Sequence, residues 1–206
     1  MFIRYFKIRI LFLIFPLLSI IGTSCSFNRA FFKNEFNAIN LPDSVSYERI
    51  KIKNKSGENL SAIFFKPSGK PKATIFLVKG NSGDISSWYD LIGIMLKNSY
   101  QVATFDYEGL GESEGKSTHK NVVRDSELVL KNIRKREDVK ENKLILWGFS
   151  FGGNLAVKIA YDNPGVFDLL VLEATFASQR KIAIKKLPWI LKPVAFEFKP
   201  QLILIS

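Results

Sequence analysis

Four short apolar runs, at residues 73–78, 101–105, 143–147 and 167–172, constrain this chain more than any other feature. The first, Ala73-Thr-Ile-Phe-Leu-Val78, lacks the polar alternation of a half-wet strand, so it predicts a strand covered on both faces. Between successive runs lie stretches with helical spacing, at 85–97, 119–136 and 151–161. Buried strands alternating with amphipathic helices predict an α/β fold, a mostly parallel sheet with helices on both sides. Ahead of them, period-two alternation at 46–53 and 60–66, separated by Asn54-Lys-Ser-Gly-Glu58, predicts an antiparallel hairpin with one wet face. In sheets of this kind the chemistry gathers in the loops at the carboxyl ends of the strands. The unusual residues of this chain fall in those loops.

The third run leads directly into Gly148-Phe149-Ser150-Phe151-Gly152, and a helical stretch follows at once. A Gly-x-Ser-x-Gly between strand and helix is a nucleophile elbow. Glycine two positions to either side lets strand and helix approach while the serine takes a strained turn. That turn lifts the Ser150 hydroxyl clear of the backbone and directs the Phe151 amide at a developing oxyanion. The pentapeptide alone is a weak signal; its strand–turn–helix setting is what makes it informative.

Two more loops complete a pattern. Lys79-Gly80-Asn81-Ser82-Gly83 follows the first run, and Asp106-Tyr-Glu-Gly-Leu-Gly-Glu-Ser-Glu-Gly115 follows the second. In order and spacing the three loops resemble the α/β-hydrolase superfamily, nearest its serine aminopeptidase-like and Bem46-like branch, over about residues 45–206. The resemblance implies a three-layer α/β-hydrolase fold with Ser150 as nucleophile and the amides of Phe151 and Asn81 as oxyanion hole. It further implies that Gly109, Gly111 and Gly115 supply positive φ angles and that Asp106 satisfies backbone donors at its strand end. Lys79 stands where relatives carry a loop-supporting histidine. It is read as a structural variant, with a Ser–Lys dyad as the sharper alternative. Glu108 replaces an arginine common in relatives, and the sequence gives it no role.

A serine hydroxyl at neutral pH needs a base, and the base needs an acid to hold its tautomer. The resemblance implies the chain order serine, acid, histidine, with the last two on the loops after the final strands. The only histidine is His119, upstream of Ser150. Following Ser117-Thr118 at a predicted helix start, it reads as an exposed residue of the capping region. Glu173 is a candidate acid, and it also fits a structural Glu-x-x-Phe pattern, Glu173-Ala-Thr-Phe176. Residues 179–199 resemble a cap segment, and 199–206 resemble the start of the next core strand. The expectation is therefore a hydrolase domain over 45–206 that stops before its last two strands, without acid and histidine. Two functions remain open at this point. One is a serine hydrolase cleaving ester, thioester or peptide bonds through an acyl-enzyme on Ser150. The other is an inactive remnant or ligand-binding domain.

Composition adds the partners. A net charge of +11 includes Arg4, Lys7 and Arg9 of a cationic leader, which leaves +8 for the rest. The densest basic run, Lys131-Asn-Ile-Arg-Lys-Arg136, suits the solvated carboxyl end of a helix. No basic motif is interleaved with aromatics, so nucleic acid is not an expected partner; anionic lipid is the more economical partner, and a plain lysine-rich composition with no partner behind it is the favoured reading. After the leader, residues 10–21 are apolar but for Pro16 and Ser19, and small residues precede Cys25, the lone cysteine. Charged start, apolar centre and small-residue exit describe an export signal over 1–24. The tract resembles a lipoprotein lipobox in which Cys25 is lipidated, with Gly22 where a larger aliphatic is usual. Ordinary cleavage and an uncleaved anchor are the alternatives. Residues 25–44 read as a tether. A single cysteine excludes an intrachain disulfide. No metal-ligand spacing occurs, and no cofactor is expected; the substrate class is a small acyl or peptide molecule.

Overall fold

The computed structural model describes residues 32 and 35–176. The leader, Cys25, the cap-like 179–199 and the apolar run near residue 206 lie outside those residues. In chain order the elements are β1 (Glu35–Phe36), β2 (Ser46–Lys53), β3 (Asn59–Lys66) and β4 (Ala73–Val78). A 3-10 turn, Ile85–Trp88, leads into α1 (Tyr89–Lys97), followed by β5 (Tyr100–Phe105), β6 (Leu110–Gly111), α2 (His119–Ile133) and α3 (Glu137–Lys140). The described chain closes with β7 (Leu144–Phe149), α4 (Phe151–Asp162) and β8 (Leu169–Glu173).

Among the described residues, six strands form one sheet in the order β2-β3-β5-β4-β7-β8. β2, β3 and β5 pair antiparallel, whereas β5, β4, β7 and β8 run parallel. The chain leaves β4 for β5 on one side and returns to β7 on the other, so the order reverses at β4. A crevice opens at such a reversal, outside the strand ends. Every residue of β4 is buried, as its unbroken apolar run requires.

The layers follow from strand alternation. Phe64, Phe76, Val78, Ala103, Phe105 and Leu146 face α2 and α4, meeting Val122, Val129, Ile133, Leu155 and Ile159. Ile63, Phe65, Ile75, Leu77 and Val102 face the other way, onto Ile85, Ile92 and Met95 of the α1 side. Each such fully buried aliphatic or aromatic side chain contributes about 1.5–3 kcal/mol. α2 starts where Thr118, in extended conformation, accepts the Asn121 N–H at 3.1 Å; a cap of this kind contributes about 1 kcal/mol.

Four observations differ from the sequence reading. The run at 167–172 is not covered on both faces: β8 ends the sheet among the described strands, and Leu169, Leu170 and Leu172 are exposed. β3 is not half-wet: from Leu60 to Phe65 it is buried throughout, with Leu60, Ala62 and Phe64 packed on the α2 and α4 side and Ile63 and Phe65 packed with Ile39, Leu41 and the α1 side. The stretch read as a tether is partly docked, with Phe32, Ile39 and Leu41 all buried. Arg49 holds it by donating to the Ile39 carbonyl at 2.9 Å while pairing with Glu112 at 2.6 Å. Glu108, left without a role, is buried at the hub of a polar network. Its Oε1 accepts from Asn54 and Arg124, each at 2.6 Å, and its Oε2 from Asn121 at 2.7 Å. One carboxylate thus joins the β2–β3 turn, the loop after β5 and α2.

Asp125 is fully buried beside that hub. Burial, and then the Glu108 charge, push its carboxyl up to about 7, against a weaker opposing pull from Arg124. An unfolded Asp ionises near pH 4. The folded state therefore holds this proton longer, and stability from this group falls as pH rises from about 4 to about 7. Asp125→Asn is expected to raise stability by about 1–3 kcal/mol at pH 8 and to change little at pH 4. Thermal melts at both values check this; equal shifts at the two would refute it.

Candidate active site

Ser150 sits between β7 and α4 with φ 52° and ψ −115°, a left-handed conformation that costs a non-glycine residue roughly 1–3 kcal/mol. Its backbone is held on both sides. The Ser150 N–H donates to the Glu173 carbonyl at 2.8 Å, and its own carbonyl accepts from Gly153 N–H at 3.1 Å. The side chain makes no capping bond to the helix. Phe151, the first residue of α4, has no carbonyl one turn earlier within the helix for its N–H to reach. The hydroxyl and an orphan amide therefore stand together at a helix N-terminus, where developing negative charge is favoured.

The glycines explain how the elbow fits. A Cβ on Gly148 would lie 2.6 Å from the Ala156 Cβ and from the Gly153 Cα, so that glycine seats α4 on its own strand. A Cβ on Gly152 would lie 1.9 Å from the Val78 carbonyl oxygen and 2.3 Å from that of Lys79. Gly152 thus presses the elbow onto the end of β4, the neighbouring strand. A third glycine, Gly153, leaves room for Thr175, whose Oγ1 would be 1.8 Å from its Cβ.

The loop after β4 faces the serine across Gly80. The point a Gly80 Cβ would occupy is 3.2 Å from Trp88 Cζ2 and 3.9 Å from Ser150 Cβ. Trp88 in turn meets Phe149 edge-on, with ring centroids 4.9 Å apart. An aromatic pair accordingly borders the serine on the β4 side. Sequence reasoning did not find Trp88, because nothing local ties it to a serine 62 positions later in the chain. Asn81 lies in this same loop, one residue past Gly80.

The other expected residues are engaged elsewhere. Lys79 is fully buried, and its Nζ donates to the Gly83 carbonyl at 2.7 Å and pairs with Asp106 Oδ1 at 3.1 Å. It also stands 5.0 Å from the centroid of the Tyr107 ring. Burial lowers the Lys79 ammonium and raises the Asp106 carboxyl to about 6, while each partner partly restores the other's charge. This engagement suits the structural reading of Lys79 and leaves a Ser–Lys dyad without geometric support. Asp106 is thus an ion-pair partner, with the Ile85 amide as one backbone donor. Glu173 Oε2 accepts from the Trp147 indole at 3.1 Å. Gly109, Gly111 and Gly115 all take positive φ, at 75°, 54° and 87°.

His119 is not the exposed residue its sequence setting suggested. It packs edge-on against Phe32 and Phe151, at centroid distances of 5.3 and 5.7 Å. Burial pushes its pKa down to about 4, so it is neutral at pH 7. It lies beneath the elbow, on the α2 side of Phe151. Among the described residues no cluster of three His, Cys, Asp or Glu side chains is able to hold a metal ion. No helix among them is long and apolar enough to cross a membrane.

A family model described as serine aminopeptidase, S33, matches residues 69–204, a span that holds the elbow and both flanking loops. The chain belongs to that α/β-hydrolase family. It is 31% identical over 152 residues to YfhR of Escherichia coli K12, an uncharacterised protein, covering 71% of this chain and 54% of YfhR. It is 31% identical over 138 residues to mouse monoglyceride lipase, covering 64% of this chain and 44% of the lipase. The chain thus spans about half the length of the curated relatives it matches. In fold it is similar to the Pyrococcus furiosus esterase Pf2001, with TM-score 0.60 at 18% identity, covering 79% of this chain and 65% of the esterase. A thermostable carboxyl esterase from Bacillus coagulans aligns with TM-score 0.58 at 19% identity, over 72% and 50% of the two chains.

The contacts at Gly152 make a sharp test. Gly152→Ala is expected to cost about 3 kcal/mol or more, because two backbone carbonyls, of Val78 at the end of β4 and of Lys79 just past it, would have to move. Gly93→Ala, in open space on α1, is expected to stabilise by about 0.5–1 kcal/mol. Denaturant midpoints for both variants check the pair. A Gly152→Ala protein as stable as wild type would rule out the close approach.

Proposed function

We propose that this domain is a serine hydrolase of carboxylic esters, with Ser150 as nucleophile. The observation that carries the reading is the left-handed Ser150, held between the Glu173 carbonyl and Gly153 at the start of α4. A serine strained into that conformation needs a reason, and presenting its hydroxyl to a ligand supplies one. Kinship with a monoglyceride lipase, and a fold shared with esterases, favour an ester over a peptide bond. The Trp88–Phe149 pair beside Gly80 favours an apolar acyl group.

In this scheme Ser150 Oγ attacks the ester carbonyl carbon while its proton passes to a base. The carbonyl oxygen becomes an anion received by the Phe151 and Asn81 amides, each such donor contributing about 2.7–4 kcal/mol to the barrier reduction. The intermediate collapses, the alcohol departs with the proton, and water later cleaves the acyl-serine by the same route reversed. Among the described residues the candidate bases and acids are engaged elsewhere: Lys79 with Asp106, Glu173 with Trp147, His119 with Phe32 and Phe151. That engagement favours a second reading, a domain that binds acyl ligands without turning them over.

A fluorophosphonate probe separates the two. Labelling of the 206-residue chain that disappears in Ser150→Ala is the expected result; no labelling of the wild type, or equal labelling of the variant, would leave only the binding reading. For localisation, we propose membrane association through the N-terminal segment, with Cys25 lipidated. Cys25→Ser is then expected to move the protein from the detergent phase to the aqueous phase on Triton X-114 partition. Unchanged partition would reject lipidation at that residue.

A further inference from the structure

We propose that Lys79 and Asp106 are positioning residues which clamp the loop 79–83 against the elbow and so set the place of the Asn81 amide. This deepens the hydrolase reading and rests on it for the chemistry, though not for the clamp itself.

The loop is fastened at both ends through one residue. At its start, the Lys79 carbonyl lies against Gly152 of the elbow, 2.3 Å from where a Cβ there would sit, and it accepts the Tyr107 hydroxyl at 2.5 Å. At its end, the Lys79 ammonium reaches forward to the Gly83 carbonyl at 2.7 Å. The side chain of residue 79 therefore closes residues 79–83 into a ring, with Gly80 and Asn81 inside it. Gly83 takes φ 73°, and its α-carbon packs on Ser87, at 2.9 Å from a notional Cβ, so the closing carbonyl is itself fixed.

Asp106 holds the ammonium in place. It is fully buried, as Lys79 is, and pairs with it at 3.1 Å. Gly111 makes room for this carboxylate: a Cβ there would meet Asp106 Oδ2 at 2.0 Å. A buried ion pair is a weak source of net stability, because desolvation opposes the attraction. Its value here is geometric. It fixes a loop that passes beside Ser150 at Gly80, where a Cβ would lie 3.9 Å from the Ser150 Cβ, and misplacing an oxyanion donor by about 1 Å is enough to lose on the order of 10²-fold in rate.

Three proteins test the clamp: wild type, Asp106→Asn, and Lys79→Met/Asp106→Asn, which removes the clamp without leaving a buried charge unpaired. The readouts are amide hydrogen exchange and the fluorophosphonate labelling rate. Exchange at residues 80–83 is expected to rise about threefold in Asp106→Asn, which keeps the Lys79–Gly83 bond, and more than tenfold in the double variant. Amides of β4 and β5 are expected to hold their wild-type rates, and labelling at Ser150 to slow at least tenfold in the double variant. Loop exchange at the wild-type rate in the double variant overturns the proposal, whatever the labelling does. If the double variant does not fold, Asp106→Asn decides alone, and unchanged loop exchange there overturns it. A wild type that takes no label, with loop exchange raised in the variants, sinks the hydrolase reading and leaves the clamp standing.

Discussion

Everything at the crevice depends on how closely the turn at Gly152 approaches the carbonyls of Val78 and Lys79, at the end of β4 and just past it. No side chain fits between them, so the start of α4 and the end of β4 behave as one rigid body. That contact sets the height of Ser150 above the sheet and brings Gly80 to its side. It also leaves the serine no relaxed conformation, since the Glu173 carbonyl holds its amide on the other flank. The strain at Ser150 is local, whereas the packing that maintains it is drawn from three strands.

The carboxyl edge of this sheet is unusually polar inside. Lys79, Asp106, Glu108 and Asp125 are all buried there, among residues that would ordinarily pay heavily for losing water. They form two separate arrangements. Lys79 and Asp106 offset each other and lie under the loop that faces Ser150. Glu108 is satisfied by three donors, from the β2–β3 turn and from α2, and Asp125 stands beside it, 3.8 Å from Arg124. The first arrangement fixes a loop; the second fixes α2 to the hairpin. Neither adds much net stability by charge alone, and both specify which backbone segments meet.

Much of this was legible in the residues because it is written locally. The unbroken apolar run at β4 announces burial on both faces, and glycines two positions either side of a serine announce an elbow. The hairpin and the three helical stretches follow from period, and the parallel strands from apolar runs without alternation. What failed to show was contact made across the sequence. β3 carries an alternation that suggests a wet face, and that face is covered by Ile39, Leu41 and the α1 side. His119 looks like a surface residue until Phe32, 87 positions earlier, is laid over it. Glu108 has no local meaning, since its partner Asn54 belongs to another turn. Ser150 and its glycines could be read from five residues; Trp88, and the grip of Lys79 on Asp106, could not.

Phe151 belongs to two worlds at once. Its ring is sunk among His119, Phe32 and Tyr107, while its amide opens α4 beside the serine hydroxyl. A residue shared in this way couples interior upkeep to surface chemistry. Trimming a ring packed below the crevice would tilt the peptide above it, so a substitution deep in the interior reaches the surroundings of Ser150 without touching the crevice itself.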